Sequence, residues 1–122
     1  MRYNRDGLIN LARAVVLQAA RDYAQGIIQP RFRAWHDTDA CRGWLERNAE
    51  GMGDVDPPTL IRRVEEGAAA FLEIAEKLRH SGIYARCPLC GGTVSIRGTR
   101  FGTRFVRCGT CAVSYRFGRE NR

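Results

Sequence analysis

Apolar residues recur at helical spacing through the first two thirds of the chain and at alternating spacing in the last third. Between residues 6 and 26, Leu8, Leu11, Ala12, Val15, Ala19 and Tyr23 fall three or four positions apart and line one helix face, which Val16 and Ala20 widen. Asp6 is the expected N-cap and Gly26 the expected stop. A shorter helix is expected from Ala40 to Asn48, opened by Asp37-Thr38-Asp39, with Cys41, Trp44 and Leu45 on its inner face. The third helix opens at Asp56-Pro57-Pro58, an N-cap followed by proline where a helix tolerates it best. Its seam of Leu60, Val64, Ala68, Phe71, Ala75 and Leu78, flanked by Ile61 and Leu72, carries it to about His80, and Ser81-Gly82 closes it. Glu73 and Lys77 form an i,i+4 pair on the outer side, and His80 sits in the last turn, where a cation suits the helix dipole.

Two connectors separate these helices. In residues 27–36, Pro30 bars continued helix, and Arg31, Phe32, Arg33, Trp35 and His36 interleave bases with aromatics. Phe32 and Trp35 read first as core residues of a small helical domain, with nucleic-acid contact as the alternative, and His36 as a surface histidine. Glu50 to Asp54, with Gly51 and Gly53, reads as a loop. From Thr93 the period drops to two: Val94 and Ile96 alternate with Ser95 and Arg97. Gly98 to Thr103 is a glycine-bounded turn, Arg104 to Arg107 returns, and Val113, Tyr115 and Phe117 alternate with Ser114 and Arg116. The expected fold is α+β: a three-helix domain over 1–82, then a small three-stranded module over 83–122.

That module carries little apolar surface, and its cysteines say what would hold it. Cys87-Pro-Leu-Cys90 and Cys108-Gly-Thr-Cys111 have C-x2-C, x17, C-x2-C spacing, the pattern of a four-thiolate zinc site. Each pair puts two sulfurs on one tight turn, and two such turns close a tetrahedron with no position left for water. A structural Zn²⁺ is therefore expected on Cys87, Cys90, Cys108 and Cys111, with rubredoxin-type iron as the open alternative. Pro88 fixes φ in the first turn, and Gly91 and Gly109 are expected to let the backbone fold over the metal. Neither pair is followed by the histidine of a haem attachment site, and Cys90 leads into Gly-Gly rather than a helix, unlike a thioredoxin-type redox pair. Disulfides are disfavoured because the first residues lack a secretory pattern and Cys41 would be left over; Cys41 reads as a small buried apolar residue.

Charge sharpens the division. Residues 1–82 carry twelve basic and twelve acidic side chains, whereas residues 83–122 carry eight arginines against Glu120 alone. The formal +7 of the chain thus sits on the last third, and four thiolates with one Zn²⁺ would leave that part near about +5. An anionic ligand is expected, and the candidate nucleic-acid contacts are Arg97, Arg100, Phe101, Arg104, Arg107 and Arg116. Only Lys77 of the twenty basic residues is lysine, a bias that a GC-rich genome explains as readily as phosphate recognition. No apolar run is long enough to span a bilayer, so a soluble cytoplasmic protein is expected.

On these knuckles and strands, residues 83–122 resemble a zinc ribbon. The resemblance extends to the ribbons of transcription elongation factors only in outline, because the tip Arg100-Phe101-Gly102-Thr103-Arg104 is basic where theirs is acidic. Leu11-Ala-Arg-Ala-Val-Val-Leu-Gln-Ala-Ala-Arg-Asp-Tyr23, Cys41-Arg-Gly-Trp-Leu45, Asp54-Val-Asp56 and Leu60-Ile-Arg-Arg-Val64 resemble small phage and prophage proteins of unassigned function. The resemblance implies a mobile-element protein in a bacterial host. The leading expectation is a regulatory protein whose basic ribbon binds DNA or RNA while the helices dock a partner or dimerise. The alternative is a protein-binding adaptor or inhibitor of a host machine such as RNA polymerase or a defence complex. An enzyme is not expected, since no Ser/His/Asp set, HExxH, phosphate loop or H-x-E beside the cysteines is present.

Overall fold

The computed structural model describes residues 5–29, 38–49, 56–80, 84–98 and 104–117, with backbone alone over 5–13. Three helices precede a four-stranded antiparallel sheet: α1 Arg5–Ile28, α2 Thr38–Asn48, α3 Pro57–His80, β1 Tyr84–Arg86, β2 Thr93–Gly98, β3 Arg104–Cys108 and β4 Ser114–Arg116. The strands lie in sequence order, each hydrogen-bonded to the next. The α+β class is as expected, but the sheet has four strands instead of three. Tyr84, Ala85 and Arg86 pair with Ser95, Val94 and Thr93. A three-residue strand turns a single residue inward, here Ala85, so it leaves no alternation to read. The connector 30–37, the loop 50–55, the closure at Ser81-Gly82 and the hairpin tip with Arg100 and Phe101 lie outside the described residues.

α3 follows its sequence pattern closely. Asp56 caps it, accepting a 2.7 Å hydrogen bond from the Thr59 hydroxyl while its carbonyl accepts Leu60 N–H. The Thr59 hydroxyl bond first, and N–H donors of the same turn, hold the Asp56 carboxyl below its ordinary value. Ile61, Val64, Gly67, Ala68, Phe71, Ala75 and Leu78 are buried. No ion pair joins Glu73 to Lys77; Glu76 instead meets Arg79 and His80 at 3.7 and 3.2 Å. In α2, Leu45 is fully buried while Cys41 and Trp44 pack partly against the core.

α1 differs from expectation in two ways. Its buried face is Val16, Ala20, Tyr23, Ala24 and Ile28, rotated by about one residue from the expected stripe, so Val15 is 49% and Leu17 64% exposed. On this face Tyr23 donates a 2.7 Å hydrogen bond to Glu65 Oε2 on α3, and burial, reinforced by Glu65, pushes the Tyr23 phenol up to about 12. Gly26 is not a stop, because the helix continues to Ile28. A Cβ at Gly26 would strike the Thr38 hydroxyl, so the glycine is there to let α2 approach α1 closely.

The two extra residues of α1 matter because they carry the helix along β4. Gln25 Nε2 donates to Ser114 O at 2.9 Å while Gln25 Oε1 accepts Ser114 N–H at 2.8 Å. Gln29 repeats the pairing on Arg116, with both bonds at 2.9 Å. Arg21 begins the series, donating to Cys111 O at 3.2 Å. Four residues of helix rise about 6 Å and two residues of strand about 6.7 Å, so amides spaced i,i+4 match alternate residues of an edge strand. The side chains of α1 thus take the place of a fifth strand. Replacing Gln25 with Ala strips partners from a half-buried N–H and C=O at once. Thermal or denaturant unfolding is expected to show a loss of about 1–3 kcal/mol for Gln25→Ala, against a few tenths for an exposed position such as Gln18→Ala.

Candidate metal centre

Each cysteine pair sits on a short turn at a strand end, and the two turns share one hydrogen-bonding plan. In the first, Cys87 N–H donates to Gly92 O at 2.7 Å and Gly91 N–H to Cys87 O at 2.8 Å. In the second, Cys108 N–H donates to Val113 O at 3.0 Å and Ala112 N–H to Cys108 O at 3.1 Å. The Cys87 sulfur accepts the N–H groups of Leu89 and Cys90, and the Cys108 sulfur accepts those of Thr110 and Cys111. Gly92 N–H reaches the Cys90 sulfur at 3.4 Å, and Val113 N–H bonds Cys111 likewise. The antiparallel pairing of β2 with β3 brings the turns face to face, with Val94 opposite Cys108 and Gly109 N–H on Thr93 O at 3.0 Å.

The four sulfurs consequently converge. All lie within 4.8 Å of one another, with Cys87 and Cys111 at 3.8 Å and Cys90 and Cys108 at 3.4 Å. A tetrahedron with metal–sulfur bonds of about 2.3 Å has sulfur–sulfur edges of about 3.8 Å, so these four cysteines are positioned to bind one metal ion. Cys87 and Cys108 are buried, Cys111 half-buried and Cys90 exposed. Burial raises the Cys87 and Cys111 thiols above their ordinary value. Burial also works against Cys108, but the N–H groups of Cys111 and Thr110 and the thiols of Cys90 and Cys111 more than offset it, and Cys108 falls to about 7. Cys108 is therefore a readier thiolate than Cys87 or Cys111, and a cation among the four would favour the thiolate form.

Of the two turn glycines expected to let the backbone fold over the metal, one has the special backbone and one does not. Gly91 has φ +78° and does adopt the left-handed conformation. Gly109 does not; the left-handed residue of the second turn is Ala112, at φ +67°. Ala112 stands four residues after Cys108, as Gly91 stands four after Cys87, so the turn geometry and not the residue type dictates the conformation. Gly92 is required by proximity, since a Cβ there would collide with the Thr110 side chain and lie 3.1 Å from the Cys108 sulfur.

The first turn also anchors the sheet to the helices. Leu89, between the two cysteines, rests on Gly67 of α3, where a Cβ would come within 2.5 Å of Leu89 Cδ2. Beside it an apolar groove of ≈ 730 Å³ runs between α1, α3 and both turns, lined by Leu17, Ala20, Val64, Leu89 and Cys111 among others. Neither Leu89 nor Gly67 was singled out in the sequence. The signal available was a glycine inside a strongly periodic helix, which marks a close approach.

The other candidate residues do not form one group. Strand register puts Arg97 and Arg116 on either side of Phe105, and Arg107 between Ser95 and Ser114. These rows, with Arg86 and Thr93, make up the outer sheet face, and Arg86, Arg97, Arg107 and Arg116 are all exposed. Arg104 alternates with Phe105 and points to the opposite side, level with Gly98, so it does not join them. Arg100 and Phe101 lie outside the described residues. Arg86, Tyr84 and Phe105 were not foreseen as part of this face, because membership depends on register and the first strand was not recognised.

Both turns impose a left-handed residue, and only one of them has glycine there. A Cβ on Gly91 meets nothing within 4 Å, so its cost is purely that of the backbone. Gly91→Ala is expected to destabilise the metal-loaded protein by about 1–2 kcal/mol, and Ala112→Gly to stabilise it by up to about 1 kcal/mol. Denaturant unfolding of the two variants checks the opposite signs.

No protein-family model, curated protein or solved structure matches this chain, so the resemblance of its helical part to small phage and prophage proteins gains no support from such comparisons.

Proposed function

We propose that the chain is a nucleic-acid-binding protein whose binding surface is held in shape by a structural zinc ion. The four thiolate donors suit zinc, which favours sulfur and tetrahedral geometry, and they would fill every coordination position. The sheet and its two turns then constitute a zinc ribbon. A closed site of this kind supplies stability and no reactive water, in keeping with a binding protein rather than an enzyme.

One observation carries the reading. Arg86, Arg97, Arg107 and Arg116 stand on one face of a single rigid sheet, and no acidic residue occurs anywhere between residues 84 and 117. None of the four takes part in an ion pair among the described residues. A surface meant only for solubility mixes both signs, whereas an unbalanced array of guanidiniums matches a row of phosphates. Twelve of the thirteen acidic residues of the chain lie before residue 83, matched there by twelve basic ones, with Arg42–Glu46 and Glu76–Arg79 as ion pairs.

Two measurements test this reading. Native mass spectrometry should find one zinc per chain. Removal by a chelator, or Cys108→Ser, should melt the sheet, since such sites contribute on the order of 10–16 kcal/mol to folding; a chain folded without metal would refute the structural role. Binding to nucleic acid should weaken with salt at a log–log slope of about −3 to −4 for four phosphate contacts. Replacing Arg97, Arg107 and Arg116 together by Gln should remove most of that slope, and a flat salt response in the unaltered protein would overturn the proposal.

A further inference from the structure

The basic face carries two aromatic rings as well as guanidiniums. Tyr84 is 71% exposed, the one large apolar side chain of the sheet left so open among the described residues. It lies in the row Tyr84, Ser95, Arg107, Ser114. Phe105 lies in the next outer row, directly between Arg97 and Arg116. It is half-buried and takes no part in the core cluster, in contrast to Ile96 and Tyr115 on the inner side. The core therefore explains neither ring. Resting on the nucleic-acid reading above, we infer that this face takes a single strand, with unpaired bases stacked on Tyr84 and Phe105 and the phosphates held by the flanking arginines.

Duplex and single strand offer different chemistry to such a face. Both present phosphates, so both satisfy the arginines. Only a single strand presents open base faces, because in a duplex each base is covered above and below and paired at its edge. Two aromatic rings on a flat surface, each beside a guanidinium, add nothing to duplex binding and a stacking platform for unpaired bases.

The spacing agrees. Tyr84 and Phe105 are two strands apart across the sheet and two residues apart along it. At about 4.8 Å per strand and about 3.3 Å per residue, their separation is about 12 Å. Neighbouring bases in a stack lie about 3.4 Å apart, so two consecutive stacked bases do not reach both rings. The bound strand is extended and its bases are splayed, the form that single-stranded nucleic acid adopts on a protein and a duplex does not. No acidic side chain interrupts the path, and Ser95, Ser114 and Thr93 supply hydroxyls between the arginines.

The experiment is a comparison of binding by the zinc-loaded full chain to a labelled single-stranded DNA, the same sequence as RNA, and the corresponding DNA duplex, at one low salt concentration. Single strands are expected to bind at least about tenfold tighter than duplex. Tyr84→Ala and Phe105→Ala should each weaken single-strand binding about 5- to 150-fold, the equivalent of about 1–3 kcal/mol per stacked base, and leave duplex binding unchanged. Tyr84→Phe should retain affinity. Phe105→Leu, which keeps the apolar bulk without the aromatic face, should lose it while still holding one zinc. Equal affinity for both forms, with the aromatic variants within twofold of the unaltered protein and the arginine variants still weakened, would overturn the single-strand inference and leave the nucleic-acid reading standing. Absence of binding to all three probes would overturn both.

Discussion

Four sulfurs gathered within 4.8 Å of one another, positioned to bind one metal ion, are the point on which the two turns and the strands of the last third converge. As thiols they are small apolar groups with weak hydrogen bonds; as thiolates they repel unless a cation sits among them. The surrounding sheet is small. The apolar residues of its inner face are Ala85, Val94, Ile96, Val106, Cys108 and Tyr115, and two of its four strands are three residues long. Every amide that turns toward a sulfur, from Leu89 to Val113, is arranged to favour negative charge there. The local backbone thus suits thiolates, the form in which these four cysteines would hold a metal ion.

The sheet is tied to the helices by polar matching as much as by packing. Leu89 fills the gap above Gly67, while Arg21, Gln25 and Gln29 satisfy Cys111, Ser114 and Arg116 along the strand. The contact at Cys111 joins the helix series directly to a turn that carries two of the sulfurs. Buried residues then run without a break from Tyr23 and Phe71 through Val94 and Val106 to Val113 and Phe117. Arg79 extends the join at the far end, 5.4 Å above the Phe117 ring, itself set edge-on to Tyr115. Helices with balanced charge hold a strongly basic sheet in place and leave its other face to solvent.

Much of this was legible in the chain. The period of α3, its cap at Asp56 and the four convergent cysteines follow from local rules, and local rules are what a sequence displays. The parts that were not legible depend on partners distant in sequence. The buried face of α1 differs from its sequence stripe by one residue because alanines and valines occur on both sides of it, and packing against distant elements such as β4 decides which side turns in. Gly26 looked like a terminator and is a point of contact with Thr38. Ala112 gave no hint of its left-handed backbone, which the symmetry with Gly91 imposes. The membership of the outer face required the register of β1, a strand too short to show a pattern.

The pairing of Gln25 and Gln29 with β4 has a consequence for how copies of this chain meet. One margin of the sheet is sealed by amide groups that already use its outward N–H and C=O groups, and among the described residues only the margin at β1 stays open. Growth by main-chain pairing needs two free margins on every subunit. A subunit with one free margin joins a single neighbour and stops there, so main-chain pairing at β1 ends at a pair and does not propagate into a filament.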